Sequence, residues 1–376
     1  SGHVFMCRAI RLPGLQNNAQ RKRGIMILSN IIEPLLAWYE REKRDLPWRR
    51  SKDPYQIWIS EIMLQQTRVE AVKGYFTRFL SALPDIYALA QVPEQQLLKL
   101  WEGLGYYNRA RNLQKAARQV TQEFGGILPA DYEKLLTLPG IGNYTAGAIA
   151  SIAYDLPTPA VDGNVLRVLS RITANYADIA APKTKRAAES ALREIMPAGR
   201  CGEFNQSLME LGAVVCVPNG PPECGRCPLA DLCKARVAGI AEELPVKAAK
   251  KPRRIEQHTI FLLVCDDKLA IRRRKARGLL AGLWELPSSP RALDWEEAVV
   301  QARTFGLEPL RAEPLCSAKH IFSHIEWQMT GWKITVAQNS PMKNGLIWAT
   351  PEQLRQDYAL PSAFRTYLAC FLEAYS

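Results

Sequence analysis

No stretch of this 376-residue chain approaches the ~18 consecutive apolar residues that a membrane-spanning helix needs, which excludes a membrane protein. Histidine is scarce, with 4 in all, and the 9 cysteines are too sparse and too odd a count for a disulfide-knitted secreted scaffold. Four of those cysteines fall within residues 216–233, which favours metal binding in a reducing compartment. No internal repeat is present. With 23 Gly and 25 Pro against 47% apolar residues, a collagen-like fibre and a wholly disordered chain are both excluded. At ~150 residues per domain, the length predicts two or three domains.

Acidic residues are missing altogether from residues 1–29, which carry five basic ones. The net charge of +12 is otherwise concentrated in residues 234–256, at +4, while residues 30–233 and 257–376 carry only +1 and +2. A basic total suits a polyanionic partner, but a basic tail and linker on an ordinary soluble protein give the same total. Charge by itself does not establish DNA binding. Ser1-Gly2-His3 stands where an initiator Met is expected and reads as a cleavage scar. The Arg-rich stretch to Arg23 reads as a transit peptide, an unstructured basic arm or translated upstream sequence, with Met26 an alternative start. Residues 1–29 are therefore set apart as a disordered basic extension.

From Asn30 to Cys233 the pattern is helix after helix. Residues 55–80 lie between Pro54 and Pro84 as one helix bounded by breakers. Residues 107–124 place Leu113, Ala116, Ala117 and Val120 at helical spacing before Gly125-Gly126. Shorter helices over 131–138 and 143–154 bracket Pro139-Gly140-Ile141-Gly142; others follow Gly163 and cover 183–196 and 203–215. This part is all-α. Residues 234–256, with Lys247, Lys250, Lys251, Arg253 and Arg254 around Pro245 and Pro252, form a linker. Beyond it, 258–265 and 268–274 flank Asp266-Asp267 as a hairpin, 294–305 suits a helix, and 324–336 alternates as paired strands would. The C-terminal part is α/β or α+β.

Cys216, Cys224, Cys227 and Cys233 are spaced C-x7-C-x2-C-x5-C, short enough for the thiolates to converge on one centre. Structural zinc sites usually pair two close Cys-Cys or Cys-His units, and here there is one C-x2-C and no nearby His. A [4Fe–4S] cluster on four thiolates fits the spacing better, with zinc the alternative. Gly140 and Gly142 permit a tight turn whose backbone N–H groups point outward at a helix N-terminus. Such a turn suits phosphate and can also hold a cation on its carbonyls, although alone it is more often merely a turn.

Glu61 has Ile57, Trp58 and Leu64 at i−4, i−3 and i+3, with Gln65 at i+4. Apolar neighbours raise a carboxyl's pKa and fit it for acid catalysis; the plainer reading is a solvated Glu beside a core stripe. Asp162 precedes a Gly-started helix whose dipole favours the ionised form, or it is a plain N-cap. Two carboxyls pushed toward opposite protonation states are what glycosidic cleavage needs.

The ordered series LPWR (46–49), SEIMLQQT (60–67), WEGLGYYNRARNL (101–113), LPGIGNYTAG (138–147), VDGNV (161–165), FNQ (204–206), the cysteine cluster and FSH (322–324) spans about residues 30–376. It resembles the MutY-type adenine DNA glycosylases of the helix-hairpin-helix superfamily. One departure is the first cysteine gap, seven residues where the family has six. The resemblance implies a multidomain fold: an all-α helix-hairpin-helix glycosylase domain with a [4Fe–4S] cluster over 30–233, a basic linker over 234–256, and an α/β Nudix-like domain over 257–376. It implies a monomer hydrolysing the N-glycosidic bond of adenine opposite 8-oxoguanine or G in double-stranded DNA, with no membrane partner. The location implied is the bacterial cytoplasm (nucleoid), with an organelle left open by the basic N-terminal segment.

Residue by residue, Glu61 would protonate the leaving base at N7 and then assist water, and Asp162 would stabilise an oxocarbenium-like sugar or capture it covalently. Tyr144 stands where related bifunctional enzymes carry a Schiff-base Lys, so no strand nicking is expected; Tyr144 and Asn164 would orient Asp162 or the sugar. Trp48, Arg49 and Gln206 would line the adenine pocket. Gln66 and Tyr106 would enter the stack beside the opposite base, flanked by Thr67 and Leu104, against plainer readings as a solvated Gln and a core Tyr. Gly140 and Gly142 would hold a phosphate, with a cation at the turn. Phe322-Ser323-His324 would read 8-oxoguanine, Ser323 bonding the oxidised edge. The 294–305 helix holds Asp294, Glu296 and Glu297 but lacks R-E-x-x-E-E-x-G, so nucleotide hydrolysis is not expected. Three rivals stand against this reading. Tyr144 and the C-terminal domain oppose a bifunctional glycosylase-lyase for oxidised pyrimidines, and the missing acids oppose a nucleotide pyrophosphohydrolase. Glu61 and Asp162 oppose a non-catalytic iron–sulfur DNA-binding protein.

Overall fold

The computed structural model describes residues 28–248, 252–337 and 342–375, so the N-terminal extension lies outside the described residues except for its last two. By internal contact the chain divides into two compact units, one of residues up to Gln91 with Asn112–Ala249, the other of Val92–Arg111 with Lys250–Ser376.

The first unit is helical. Val165, Val168, Leu169 and Ile172 of the Gly163–Thr173 helix recur at i, i+3, i+4 and i+7, and meet Leu35 and Leu36 of Ile32–Glu42 and Phe204, Leu208 and Leu211 of Cys201–Val214 in one core. The Pro54–Leu64 helix differs, because nearly every residue from Tyr55 to Met63 is buried. Pro54 starts it and the Asp53 carboxylate caps it, accepting from Tyr55 N at 2.9 Å. The single helix expected over 55–80 is broken here. Gln66 adopts the left-handed region at φ 59°, and helix resumes only over Val69–Ala82. No Gly or Pro marks that break. The start of the expected linker is folded as well: Lys234–Val237 is helical, Ala235 and Leu244 are buried with Cys233, and Ile179 N donates to Val246 O at 3.1 Å. Residues 249–251 lie outside the described residues.

The second unit carries strands β1 (Arg254–Cys265), β2 (Lys268–Arg273), β3 (Trp284–Glu285), β4 (Ser288–Ser289), β5 (Pro309–Ile321), β6 (Ile325–Val336) and β7 (Leu346–Ala349). Their order is β3-β2-β1-β6-β5, with β4 on β1 and β7 on β2. β1 and β6 pair in parallel from Arg254↔Ile325 to Val264↔Thr335, and the other pairings are antiparallel. Alternation along β1 gives each face its own core. Ile260, Leu262 and Val264 pack with Phe364 and Tyr367, whereas Phe261 and Leu263 pack with Ala298 and Ala302. Asp294 and Glu297 spend their carboxylates on a capping box at the Trp295–Thr304 helix. The 324–336 segment is strand β6, paired with β1 on one side and β5 on the other. Its antiparallel partner β5 escapes sequence patterning because Pro309, Pro314 and a register shift between Leu315 and Ala318 obscure the two-residue period.

Residues 92–111, which a division at 234–256 assigns to the helical part, group with this second unit. Lys99 Nζ donates to Leu354 O at 3.0 Å and Tyr358 O at 3.1 Å, and Glu102 Oε1 accepts from Leu360 N at 2.7 Å. Among the described residues no helix is long and apolar enough to cross a membrane.

Candidate active site and nucleic-acid interface

A cleft of ≈ 680 Å³ in the first unit is lined by Trp48, Arg49, Glu61, Gln66, Thr67, Tyr144, Asp162, Asn164 and Gln206. These come from helices and turns far apart in sequence. Glu61 projects from the largely buried Pro54–Leu64 helix and is only 7% exposed. The Tyr144 hydroxyl, from the Asn143–Tyr154 helix, donates to Glu61 Oε2 at 2.6 Å. Burial pushes the Glu61 carboxyl up from 4.5 to about 7; the Tyr144 hydrogen bond works against this rise and the Asp162 charge adds to it. Tyr144 is itself held well above its usual value by burial and the two carboxylates, so it stays a donor. Its phenol thus serves Glu61 rather than Asp162.

Asp162 caps the Gly163–Thr173 helix. Its Oδ1 accepts from Val165 N at 2.8 Å and its Oδ2 from Asn164 Nδ2 at 2.7 Å. Burial raises this carboxyl too, and the hydrogen bonds from Val165 and Asn164 only draw it partly back. The expectation of opposite shifts, which rested on the helix dipole, is therefore corrected: desolvation dominates at both carboxyls. What separates them is the number of donors stabilising each anion. Arg167 continues the line, its Nη2 donating to Asn164 Oδ1 at 2.8 Å and its Nε to Cys216 O at 2.7 Å. Close helix approach makes this possible, since a Cβ on Gly212 would fall 2.6 Å from Asn164 Cβ.

Several residues of this cleft were not foreseen, among them Arg44, Lys185, Met209, Glu210 and Ala213. Glu210, whose side chain is 0% exposed, accepts from Arg44 Nε at 2.8 Å and Arg49 Nη2 at 2.7 Å. Burial pushes it up, but the two guanidinium hydrogen bonds outweigh this and hold it at about 2. Arg49 is thereby fixed beside the cleft. The signal was present in the sequence, because Gln206, Met209, Glu210 and Ala213 follow the i, i+3, i+4, i+7 rule and all line the cleft.

The Gly142 N-cap has extended backbone and no capping side chain, so the first N–H groups of the Asn143–Tyr154 helix have no side-chain acceptor. Gly140 takes φ 80°, and a Cβ there would meet Asn112 Cβ at 2.7 Å.

Leu104, Tyr106 and Phe322-Ser323-His324 lie in the second unit. Tyr106, at φ 47° and 50% exposed, has its hydroxyl 2.8 Å from Ser323 Oγ. Phe322 packs edge-on against His320 and Trp327, with ring centroids 4.6 and 4.9 Å away. His324 is exposed, and its carbonyl accepts from Arg254 N at 3.0 Å. Leu104, expected to flank this site, is buried. Gln66 and Tyr106 share left-handed backbone at non-glycine positions, which concentrates at functional sites.

The four clustered cysteines sit on a loop folded by short turns at Cys224–Arg226 and Ala230–Leu232. Burial pushes Cys227 up to about 12, and Cys216, Cys233 and Cys224 each add to the rise, so all four thiols are within electrostatic reach of one another. Arg171 Nη1 donates to Cys216 Sγ at 3.2 Å. Among the described residues no three Cys, His, Asp or Glu side chains converge closely enough for a single metal ion. Tetrahedral zinc, with Zn–S about 2.3 Å, requires sulfurs under about 4 Å apart. Four thiols on one short loop are the donor type that a [4Fe–4S] cluster takes at its corners.

Residues 59–197 match the HhH-GPD superfamily of base excision DNA repair proteins, and residues 259–370 match the NUDIX domain. The chain is 35% identical to the adenine DNA glycosylase of Rattus norvegicus, over 89% of this chain and 77% of that protein. It is 34% identical to the adenine DNA glycosylase of Buchnera aphidicola subsp. Acyrthosiphon pisum (strain APS), over 77% of this chain and 82% of that one. Among solved structures, a thermostable thymine-DNA glycosylase superposes with a TM-score of 0.52 at 29% identity, over 57% of this chain and 98% of that one. Helical glycosylase unit, Nudix-like sheet and relatives matched over most of their length agree: the chain belongs to the adenine DNA glycosylase family.

Proposed function

We propose that this protein is a monofunctional adenine DNA glycosylase acting on adenine opposite 8-oxoguanine or G in duplex DNA. One observation carries the reading: a buried carboxyl poised near neutrality and oriented by a phenol, in a cleft shared with a second, capped carboxyl. Because Tyr144 donates to Oε2, the acid proton of Glu61 resides on Oε1, from which it is delivered to N7 of the leaving base. Asp162, held by two hydrogen bonds, then faces the cationic sugar as stabiliser or nucleophile, and Glu61, now ionised, activates water. Arg49 and Trp48 flank the base. The Gly140–Gly142 turn and the helix behind it receive a DNA phosphate, with a cation on the turn carbonyls.

Gln66, flanked by Thr67, enters the stack. Tyr106, hydrogen-bonded to Ser323, does likewise beside the opposite base, and Phe322 and His324 frame the oxidised edge. Cys216, Cys224, Cys227 and Cys233 hold a [4Fe–4S] cluster. When bound, it supplies a redox-capable cross-link that closes the 216–233 loop. The enzyme works as a monomer, in the nucleoid of a bacterial cytoplasm or in an organelle.

The test is a single-turnover gel assay on A·8-oxoguanine and A·G duplexes, with and without alkali and with borohydride. Strand breaks only after alkali and no borohydride-trapped adduct are expected. A trapped adduct, whether through Lys185 in the cleft or another amine, overturns the monofunctional assignment.

A further inference from the structure

The base pocket contains a polar contact that bears on which purine it accepts. Tyr39, on the Ile32–Glu42 helix and buried, donates its hydroxyl to Gln206 Oε1 at 3.1 Å. Its ring is clamped, with Lys43 Nζ 5.3 Å and Arg49 Cζ 5.4 Å from the centroid. Gln206 lines the catalytic cleft, and its Nε2 has no partner among the described residues.

An amide can be turned over without changing its shape, exchanging acceptor for donor. Here it cannot be turned over freely. With Nε2 against Tyr39, the buried hydroxyl hydrogen would lose its acceptor, and unsatisfied buried donors are disfavoured. Burial pushes Tyr39 up to about 12, so the hydroxyl keeps its proton across the working pH range.

On the reading that the substrate is adenine, we infer that Tyr39 is a specificity-determining positioning residue, fixing Gln206 so that its N–H2 end faces the base. With N7 turned toward Glu61, the edge left to the rest of the pocket carries N1. In adenine N1 is an acceptor and matches the offered donor. In hypoxanthine or guanine N1 bears hydrogen and opposes it. Tyr39 touches no reacting atom; it acts through Gln206.

The experiment compares single-turnover excision of adenine and of hypoxanthine, its near-isosteric counterpart, opposite 8-oxoguanine. The full-length, cluster-loaded wild type, Tyr39→Phe, Gln206→Leu and the double variant are used. Tyr39→Phe keeps the ring and should narrow the adenine-to-hypoxanthine rate ratio by about tenfold, the size of one net hydrogen bond. In the Gln206→Leu background the same change should leave the ratio where Gln206→Leu put it. An unchanged ratio in Tyr39→Phe, or an equal change in both backgrounds, overturns the inference. Should the wild type fail to excise adenine, the functional reading fails first, and the two failures are told apart by that single measurement.

Discussion

Replacing Glu61 by Gln separates the chemistry of this carboxyl from its effect on stability. The substitution preserves volume and keeps an acceptor for the Tyr144 hydroxyl while removing the titration. The folded protein holds the Glu61 proton up to about 7, whereas the unfolded chain releases it near 4.5. A group raised in this way favours the fold fully below pH 4.5, and that contribution is lost as pH rises through about 7. A difference of about 2.5 units at about 1.36 kcal/mol per unit amounts to about 3 kcal/mol. Glu61→Gln should therefore match wild type in stability near pH 4.5 and exceed it by up to about 3 kcal/mol at pH 8. Urea unfolding followed by far-ultraviolet circular dichroism at the two pH values measures this. Base excision should fall by at least about 10²-fold in the variant, and the wild-type rate should decline as pH rises through neutrality. Parallel stability–pH curves for the two proteins, or near-normal single-turnover cleavage by the variant, would refute the reasoning.

Glu210→Gln should cost about 3–5 kcal/mol by stranding Arg44 and Arg49, and should move the alkaline limb of the wild-type rate profile to lower pH because the freed Arg49 charge favours ionised Glu61. Gly212→Ala drives a Cβ into Asn164, so melting should reveal a loss of about 1–3 kcal/mol, and excision should drop as Asp162 loses its partner. Ser323→Ala removes one exposed hydrogen bond to Tyr106 and should reduce 8-oxoguanine preference by no more than about tenfold in competition between A·8-oxoguanine and A·G duplexes. Anaerobically purified protein should be brown with about four iron atoms per chain by elemental analysis; zinc in place of iron would overturn the cluster assignment.

Much of the helical unit was legible because its elements are bounded by Pro, Gly and capping residues and keep a 3.6-residue period. The Gly163–Thr173 helix, announced by Asp162-Gly163, is the clearest case. The break at Gln66 was not legible, since a left-handed glutamine has no local signature and its backbone is set by packing around it. β5 was hidden by two prolines and a bulge. At the cleft, the candidate residues were found by motif, but their wiring was not. Tyr144 was expected to orient Asp162 or the sugar, and only the fold pairs it with Glu61. Asp162 was misjudged because sequence displays a helix start but not the burial that opposes its dipole. Glu210 was overlooked although its spacing from Gln206 placed it on the same helix face.

The pairing of Tyr106 with Ser323 has a consequence for how this protein can be cut and recombined. These residues are 217 positions apart in the chain, yet both belong to the unit formed by Val92–Arg111 and Lys250–Ser376. Lys99 and Glu102 tie the same inserted segment to Leu354, Tyr358 and Leu360. The heritable module is thus discontinuous. A chimera that grafts only the C-terminal stretch of a relative carries one half of a matched pair and meets a foreign partner at 92–111. Deleting that stretch after Cys233 strips the segment of every one of these bonds. Grafts that exchange both pieces together preserve the match, so the natural breakpoints for recombination lie near residues 91, 112 and 250 rather than at a single linker.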